Sequence, residues 1–377
     1  MIQTKNNNAL LFFITFFIIG YNIFVSLLGL GVTYIYQWIS LLCLGYWAVL
    51  YLSHSAKNVY LNVSLVVFIS IFIYSLFSEF VNDQFRSLSF SLLISIPFYF
   101  YKFNPKHINK FFLLLCVISI ASEFLNLNQG REEFGEGYYG GGYFALVTLP
   151  VGLYILRNKN EITKALWCIF VFILVLYSVK RGDILGYLVG VAFYYLAILF
   201  RQRKKNRIWL IITAGIMLAA LYAVFQYGLD SSELLQRRLE STEEGGGSGR
   251  DVIYLSLWNT WINSDVFNQL FGYGINAPFR LIGIQAHNDW LELLLDMGLV
   301  GVSLYLTLFF SLIRSFTRKQ VPVELRPIFF SILGIWLVKS SFSMFLFSTP
   351  TVMLSMIIGY MLNPNVNHFA IAKTRKA

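Results

Sequence analysis

The side chain best suited to take a proton from a hydroxyl is His287, in the segment QAHNDWLELLLDMGLVG. The apolar run after it predicts a helix. Asp289 is a plausible N-cap for that helix, and Glu292, three residues later, would complete a capping box. A neutral imidazole held just before a helix can act as a base near neutral pH, with Asn288 as a supporting polar neighbour. The alternative interpretation is a solvated histidine beside a helix cap.

Three cations are placed where an anion could bind. Lys180 and Arg181 are adjacent in SVKRGD, and Arg250 follows the Gly-rich stretch STEEGGGSG and opens a predicted helix. Two adjacent cations suit a phosphate, arginine offers a two-pronged fork, and a helix N-terminus adds free amides. The alternative for Arg181 is snorkelling or an ion pair with Asp183.

The helix that Arg250 opens carries apolar side chains at helical spacing, namely Tyr254, Leu255, Trp258, Trp261 and Ile262. We expect this helix to lie in the membrane interface, with its Trp rings at headgroup depth. A helix that only packs on the rest of the protein is the alternative.

Two weaker features complete the set of site candidates. Lys339 lies within an apolar run, where a lysine either faces a polar cavity or snorkels to the surface. Gly272 and Gly274 form a G-x-G without the flanking strand and helix of a nucleotide fingerprint. We interpret them as a turn that returns the chain towards His287.

The sequence predicts neither a metal nor a cofactor. No cluster of His, Cys and carboxylates in the external segments has the spacing of metal ligands. The three cysteines, Cys43, Cys116 and Cys168, all lie inside apolar runs, which argues against a disulfide framework or a cysteine metal site.

The elements that must hold these residues are membrane-spanning helices. Of the 377 residues, 57% are hydrophobic and 13% charged, whereas a soluble domain carries about 25% charge. The long apolar runs suit helices rather than the alternating strands of a barrel. We predict an all-α polytopic membrane protein with about twelve spans: 9–30, 33–52, 59–78, 87–101, 110–127, 141–156, 165–180, 183–200, 208–227, 290–313, 327–345 and 349–363.

The distribution of charge predicts the orientation of these spans. With both termini cytoplasmic, the inside holds 20 of the 29 Lys and Arg residues but only Glu161 and Glu324 of the 19 acidic residues. The basic balance therefore reflects topology, and no nucleic-acid partner is needed. Residues 1–377 would form one membrane domain, with a single large outer loop, 228–288, between the ninth and tenth spans. That loop would carry the interfacial helix and the active site.

The segment AHNDWLELLLDMGLVG resembles the signature of the O-antigen ligase and polymerase superfamily, the Wzy_C-type membrane glycosyltransferases. The signature is His, then Asn, Ser or Gln, nine residues, and G-x-x-G, which matches His287, Asn288, Gly298 and Gly301. The upstream LFGYGI is similar to the Gly-rich stretch of that family. Arg250 and Arg181 match its two arginines.

The resemblance implies a metal-independent glycosyltransferase at the outer, periplasmic face of the bacterial inner membrane. Its donor and acceptor would be oligosaccharides on undecaprenyl pyrophosphate, held within membrane lipids, and a chain-length regulator is a further candidate partner. His287 would activate the acceptor hydroxyl, while Arg181 and Arg250 would hold the pyrophosphate. The apolar, Phe- and Tyr-rich composition favours an O-antigen polymerase, which extends lipopolysaccharide chains. A ligase that transfers the polymer to lipid A–core and a flippase or other transporter are the alternatives.

Overall fold

The computed structural model describes residues 45–53, 58–76, 91–100, 105–134, 142–201, 204–231, 236, 240, 249–317, 321–346, 348 and 350–364. All regular elements in these ranges are helical. We number the main helices along the chain as α1 (Val59–Leu76), α2 (Ser95–Phe100), α3 (Pro105–Phe134), α4 (Tyr143–Ile155), α5 (Glu161–Tyr177), α6 (Arg181–Arg201), α7 (Lys204–Ser231), α8 (Arg250–Ile262), α9 (Val266–Phe271), α10 (Ala277–Ile282), α11 (Asp289–Thr317), α12 (Arg326–Phe342) and α13 (Thr351–Leu362). The all-helical prediction is confirmed for the described residues.

The helices agree in position with the predicted spans. Helical segments overlap every predicted span except 9–30, which lies outside the described residues. Among the described helices, five are long and apolar enough to cross a membrane, at His107–Leu125, Arg181–Phe200, Ile208–Asp230, Asp289–Phe316 and Val323–Phe342. The count of twelve spans and the orientation of the termini therefore stay predictions. The helix of the ninth predicted span continues to Ser231, so the first residues of the predicted outer loop 228–288 are helical.

Glycines allow α6 and α12 to approach each other closely. Gly182, Gly186 and Gly190 recur every four residues and share one face of α6. A Cβ on Gly190 would lie 2.9 Å from a side chain of α12, and one on Gly334 of α12 would lie 3.0 Å from a carbonyl oxygen of α6. Small residues at such spacing let helix backbones pack in a membrane. The start of α6 is thereby held against the end of α12.

Helix α11 is broken inside the predicted G-x-x-G motif. Gly298 has φ 63° and ψ −155°, a conformation essentially restricted to glycine. The break removes the helical partners of two carbonyl groups. The Leu295 carbonyl instead accepts a hydrogen bond from Tyr273 N–H at 2.8 Å, and the Asp296 carbonyl accepts one from Gly274 N–H at 2.9 Å. The loop before α10 therefore completes the hydrogen bonding of α11.

Gly272, a glycine of the loop before α10, packs against this break. Its φ of 74° is positive, and a Cβ on it would lie 2.5 Å from the backbone of Asp296 and Met297. Conversely, a Cβ on Gly298 would lie 2.6 Å from the backbone nitrogen of Phe271. The G-x-G and G-x-x-G motifs of the sequence are thus the two halves of one backbone contact.

We expect Gly298→Ala and Gly272→Ala to prevent stable folding, because each adds a backbone clash to a backbone conformation that costs about 1–3 kcal/mol for other residues. The matched control is Gly283→Ala. Gly283 also has a positive φ, 75°, but a Cβ there would meet nothing within 4 Å, so only a strain of about 1–2 kcal/mol is added. Thermal unfolding in detergent measures the difference. Equal stability losses at Gly283 and Gly298 would contradict this account.

Candidate active site

His287 occupies a strained turn directly before α11. Its φ is +50°, in the left-handed region that non-glycine residues rarely adopt. The His287 carbonyl accepts a hydrogen bond from the Tyr254 hydroxyl at 3.2 Å, and the preceding Ala286 N–H donates to the Glu292 carboxylate at 2.9 Å. The side chain of His287 is half-buried. The turn is therefore held on both sides while the imidazole keeps access to a substrate.

The N-cap of α11 is Asn288, which corrects the predicted cap at Asp289. The Asn288 Oδ1 atom accepts hydrogen bonds from Trp290 N–H at 2.9 Å and Leu291 N–H at 3.2 Å. Both residue types cap helices well, but the Asp289 carboxylate is already bonded to backbone amides beyond α12. The Glu292 carboxylate accepts its hydrogen bond from Ala286 N–H, which precedes the cap residue.

Arg250 is the first residue of α8, as the sequence predicts. Its Nη1 donates to the carbonyl oxygen of Phe342, the last residue of α12. The same oxygen lies beside Gly182, where a Cβ would be 3.6 Å away. Since Arg181 immediately precedes Gly182, the two predicted pyrophosphate ligands are brought to one helix end. A shared anion between their side chains stays a prediction.

Burial and nearby cations together favour the neutral form of His287. Burial lowers the pKa of the His287 imidazole, and the positive charges of Arg250, Lys180 and Lys339 lower this pKa further. Of the predicted anion ligands, Arg250 and Lys180 therefore act on the imidazole, together with Lys339. The site combines a neutral base with a concentration of positive charge, which is suited to a hydroxyl nucleophile and an anionic leaving group.

Lys339 does not snorkel to the surface. Its Nζ lies 2.6 Å from the Asp183 carboxylate, and the exposed fractions of the two side chains are 2% and 0%. The ammonium also lies 4.2 Å above the Tyr143 ring. Lys339 instead forms a buried ion pair with Asp183 across the α6–α12 contact, which neither predicted interpretation described.

Residues 165–306 match the family model described as O-antigen ligase (Wzy_C). This segment is therefore similar to the Wzy_C family. It contains Arg181, Arg250 and His287, and it ends within α11. No curated protein matches the chain.

The Gly-rich turn of the matched segment contacts α11. Gly272 and Gly274 contact the backbone of Asp296 and Met297 at the helix break, nine and ten residues after His287. Their role in the described structure is to hold the outer loop against α11. The sequence predicted a turn that returns the chain towards His287 without naming a contact, and the contact observed is with the helix that follows His287.

The apolar stripe predicted for α8 is partly buried and partly exposed. Trp261 packs in one cluster with Ile253 and with the fully buried Leu257, whereas Leu255, Trp258 and Ile262 are exposed. At about 100° per residue the five predicted positions share one face of the helix, and Leu257 adds a contact with the rest of the protein. The placement of the exposed side in the membrane interface stays a prediction.

The sequence analysis missed a second set of residues around the site. Tyr254 was assigned to the apolar stripe, although its spacing of four residues from Arg250 places both on one face of α8. The role of the end of α12 was also missed. Ser341 and Phe342, its last two residues, contribute the backbone carbonyl groups that bind Asn288 and Arg250, and backbone groups leave no signal in residue types.

Proposed function

We propose that the protein is an O-antigen polymerase of the bacterial inner membrane. It transfers a glycan from undecaprenyl pyrophosphate to a hydroxyl of another lipid-linked repeat unit at the periplasmic face. The observation that carries the proposal is the half-buried imidazole of His287, placed in the field of three cations next to a helix that starts with Arg250. Enzymes of this family are glycosyltransferase-like, which agrees with that arrangement.

The imidazole and the cations perform different parts of the transfer. The neutral imidazole of His287 accepts the proton of the acceptor hydroxyl, whose oxygen forms a bond to the anomeric carbon of the donor sugar. The bond from that carbon to the pyrophosphate oxygen breaks, and the leaving group takes the electron pair. Arg250, Arg181 and Lys180 stabilise the negative charge that develops on the pyrophosphate.

The exposed apolar surface of the outer loop suits a lipid-linked substrate. Leu255 and Trp258 of α8 and Val266 and Phe267 of α9 are all exposed. Apolar and Trp-containing helices of this kind lie in the membrane interface. In that position, α8 would present Arg250 at the depth where the pyrophosphate of a polyprenyl lipid lies.

A ligase is the second candidate, because the matched family is described as O-antigen ligase. Deletion of the gene, followed by gel analysis of lipopolysaccharide, distinguishes the two. A single repeat unit on the lipid A–core means that the polymerase is missing. A core without any repeat, with polymer left on the carrier lipid, means that the ligase is missing. Glycan transfer by the purified protein in detergent would exclude the transporter alternative.

The pH dependence of transfer should reflect the lowered pKa of His287. Because only the neutral imidazole accepts a proton, kcat/KM should be flat around neutral pH and fall as the pH drops through a pKa below the usual 6.5. Lys180→Ala removes one of the cations that lower this pKa, so the fall should begin at a higher pH. An unchanged acid limb in Lys180→Ala would contradict the electrostatic account.

Transfer should persist after treatment with EDTA. The described residues contain no group of three or more His, Cys, Asp and Glu side chains that could hold a metal ion, and the cations named above can stabilise the leaving group. The measurement compares purified protein before and after chelation. Loss of activity with EDTA and recovery with Mg²⁺ or Mn²⁺ would show that the proposal of metal independence is wrong.

A further inference from the structure

The residue after the N-cap of α11 connects the His287 turn to the other end of the chain. The Asp289 carboxylate is fully buried. It accepts hydrogen bonds from Phe345 N–H at 3.0 Å, Leu346 N–H at 3.2 Å and the Tyr305 hydroxyl at 3.0 Å. A buried carboxylate is costly unless donors surround it, and here three converge on it. The first residue of α11 is thus fixed to the α12–α13 connection.

Tyr305 extends this contact into the core. A tyrosine hydroxyl has one proton, and here it is donated to Asp289. The indole Nε1 of Trp336, at 2.5 Å, and the hydroxyl of Ser340 must therefore both donate to Tyr305. Since each of these bonds has a defined direction, the network holds Asp289 in one arrangement.

The end of α12, directly before this connection, holds the anion side of the site. The Ser341 carbonyl accepts a hydrogen bond from Asn288 Nδ2 at 2.8 Å, and the Phe342 carbonyl accepts one from Arg250. Residues 340–346, which we call the support segment, therefore bind Asn288 and Asp289 next to the imidazole and Arg250 at the anion side. A left-handed residue such as His287 persists only where its surroundings determine its conformation.

We propose that Asp289 is a positioning residue that fixes the His287 turn to the support segment and thereby sets the placement of the imidazole relative to Arg250. Its catalytic consequence rests on the proposed function, in which His287 is the base. The placement itself does not depend on that function and can be measured separately.

The first measurement is the chemical reactivity of His287. The purified full chain is treated with diethyl pyrocarbonate, and mass spectrometry gives the modification rate of His287 relative to the exposed His107. Asp289→Asn keeps the shape of the side chain but replaces one acceptor oxygen with a donor amide, which opposes Phe345 N–H even when the remaining oxygen keeps the Oδ2 position. We expect the reactivity of His287 relative to His107 to rise several-fold, because the half-buried imidazole gains access to solvent.

Two further variants make the measurement specific. Tyr305→Phe removes one donor to Asp289 without changing the packing volume, and we expect a smaller rise in the same direction. If Asp289→Asn does not fold, the reactivity of His287 in Tyr305→Phe tests the proposal in its place. Ser315→Ala is the matched control, since Ser315 is a buried hydroxyl on the same helix that bonds to Ser311 and Asn58. We expect it to leave the reactivity of His287 unchanged.

The second measurement is transfer itself. We expect Asp289→Asn to lower kcat by about 10²-fold, the loss typical of a misplaced reacting group, with an unchanged affinity for the lipid pyrophosphate donor. If the wild-type protein shows no transfer, the proposed function fails, while the reactivity result still decides the placement of His287. A folded Asp289→Asn protein with wild-type reactivity at His287, or with wild-type kcat in an active enzyme, would overturn the inference.

Discussion

Replacing His287 with alanine should reduce glycan transfer by about 10²–10⁴-fold, the usual contribution of a general base. The side chain is half-buried, and its surroundings keep the imidazole neutral near pH 7 by lowering its pKa. Transfer by the purified protein and the polymer ladder of a complemented deletion strain both measure the effect. Residual activity would come from the cations, which still stabilise the leaving group.

The matched control for this variant is His107→Ala. His107 lies on α3 and is exposed, so we expect normal polymer from this protein. Both variants must reach the membrane at wild-type levels, because the turn at His287 is held through its backbone rather than through its imidazole. Near-normal polymer from a well-expressed His287→Ala protein would exclude the base role.

The second large effect is expected at Arg250. We predict a loss in transfer of about 10²–10³-fold for Arg250→Ala, as for removal of one donor to a developing anion. Arg250→Lys should also be clearly impaired. The guanidinium binds the Phe342 carbonyl through Nη1 and has further N–H groups for an anion, whereas an ammonium lacks this fixed geometry. Affinity for the lipid pyrophosphate donor should fall more than affinity for the acceptor sugar.

Arg181 provides the test for a shared anion. If both arginines bind one pyrophosphate, Arg181→Ala and Arg250→Ala should each weaken donor binding, and the double variant should lose less than the two losses combined. Arg280→Ala is the matched control, since Arg280 is an exposed arginine of the same loop that binds the carbonyls of Tyr273 and Gly274. Fully additive losses, or an equal loss in Arg280→Ala, would contradict the shared-anion prediction.

The sequence was most informative where side chains follow a regular spacing. Apolar runs predicted the helix positions, and the Gly-rich stretch followed by Arg250 predicted the start of α8 at the correct residue. One detail was wrong. Asn288 rather than Asp289 caps α11, because the Asp289 carboxylate is already bonded to backbone amides beyond α12. A tertiary contact here chose between two residues that local propensity treats as equivalent.

Contacts between distant segments could not be predicted from one sequence. The Lys339–Asp183 pair joins residues 156 positions apart, and only the packing of α6 on α12 brings them together. The glycine repeat that permits this packing, Gly182, Gly186 and Gly190, is visible in the sequence and was overlooked. The break at Gly298 also has a sequence signal, but its partner, Gly272, becomes evident only when both backbones are seen in contact.

The use of backbone carbonyls to hold Arg250 and Asn288 has a consequence for how this protein can diverge. Ser341 and Phe342 contribute only main-chain oxygen atoms to these bonds, which every amino acid possesses. Substitutions at these two positions can therefore accumulate without removing either acceptor, provided that α12 ends at the same place. The reacting residues thus depend on a part of the chain in which the residue types can vary but the number of residues cannot. Insertion of one residue between Lys339 and Phe342 would rotate the helix end by about 100° and separate Arg250 from its acceptor, whereas most replacements there would not.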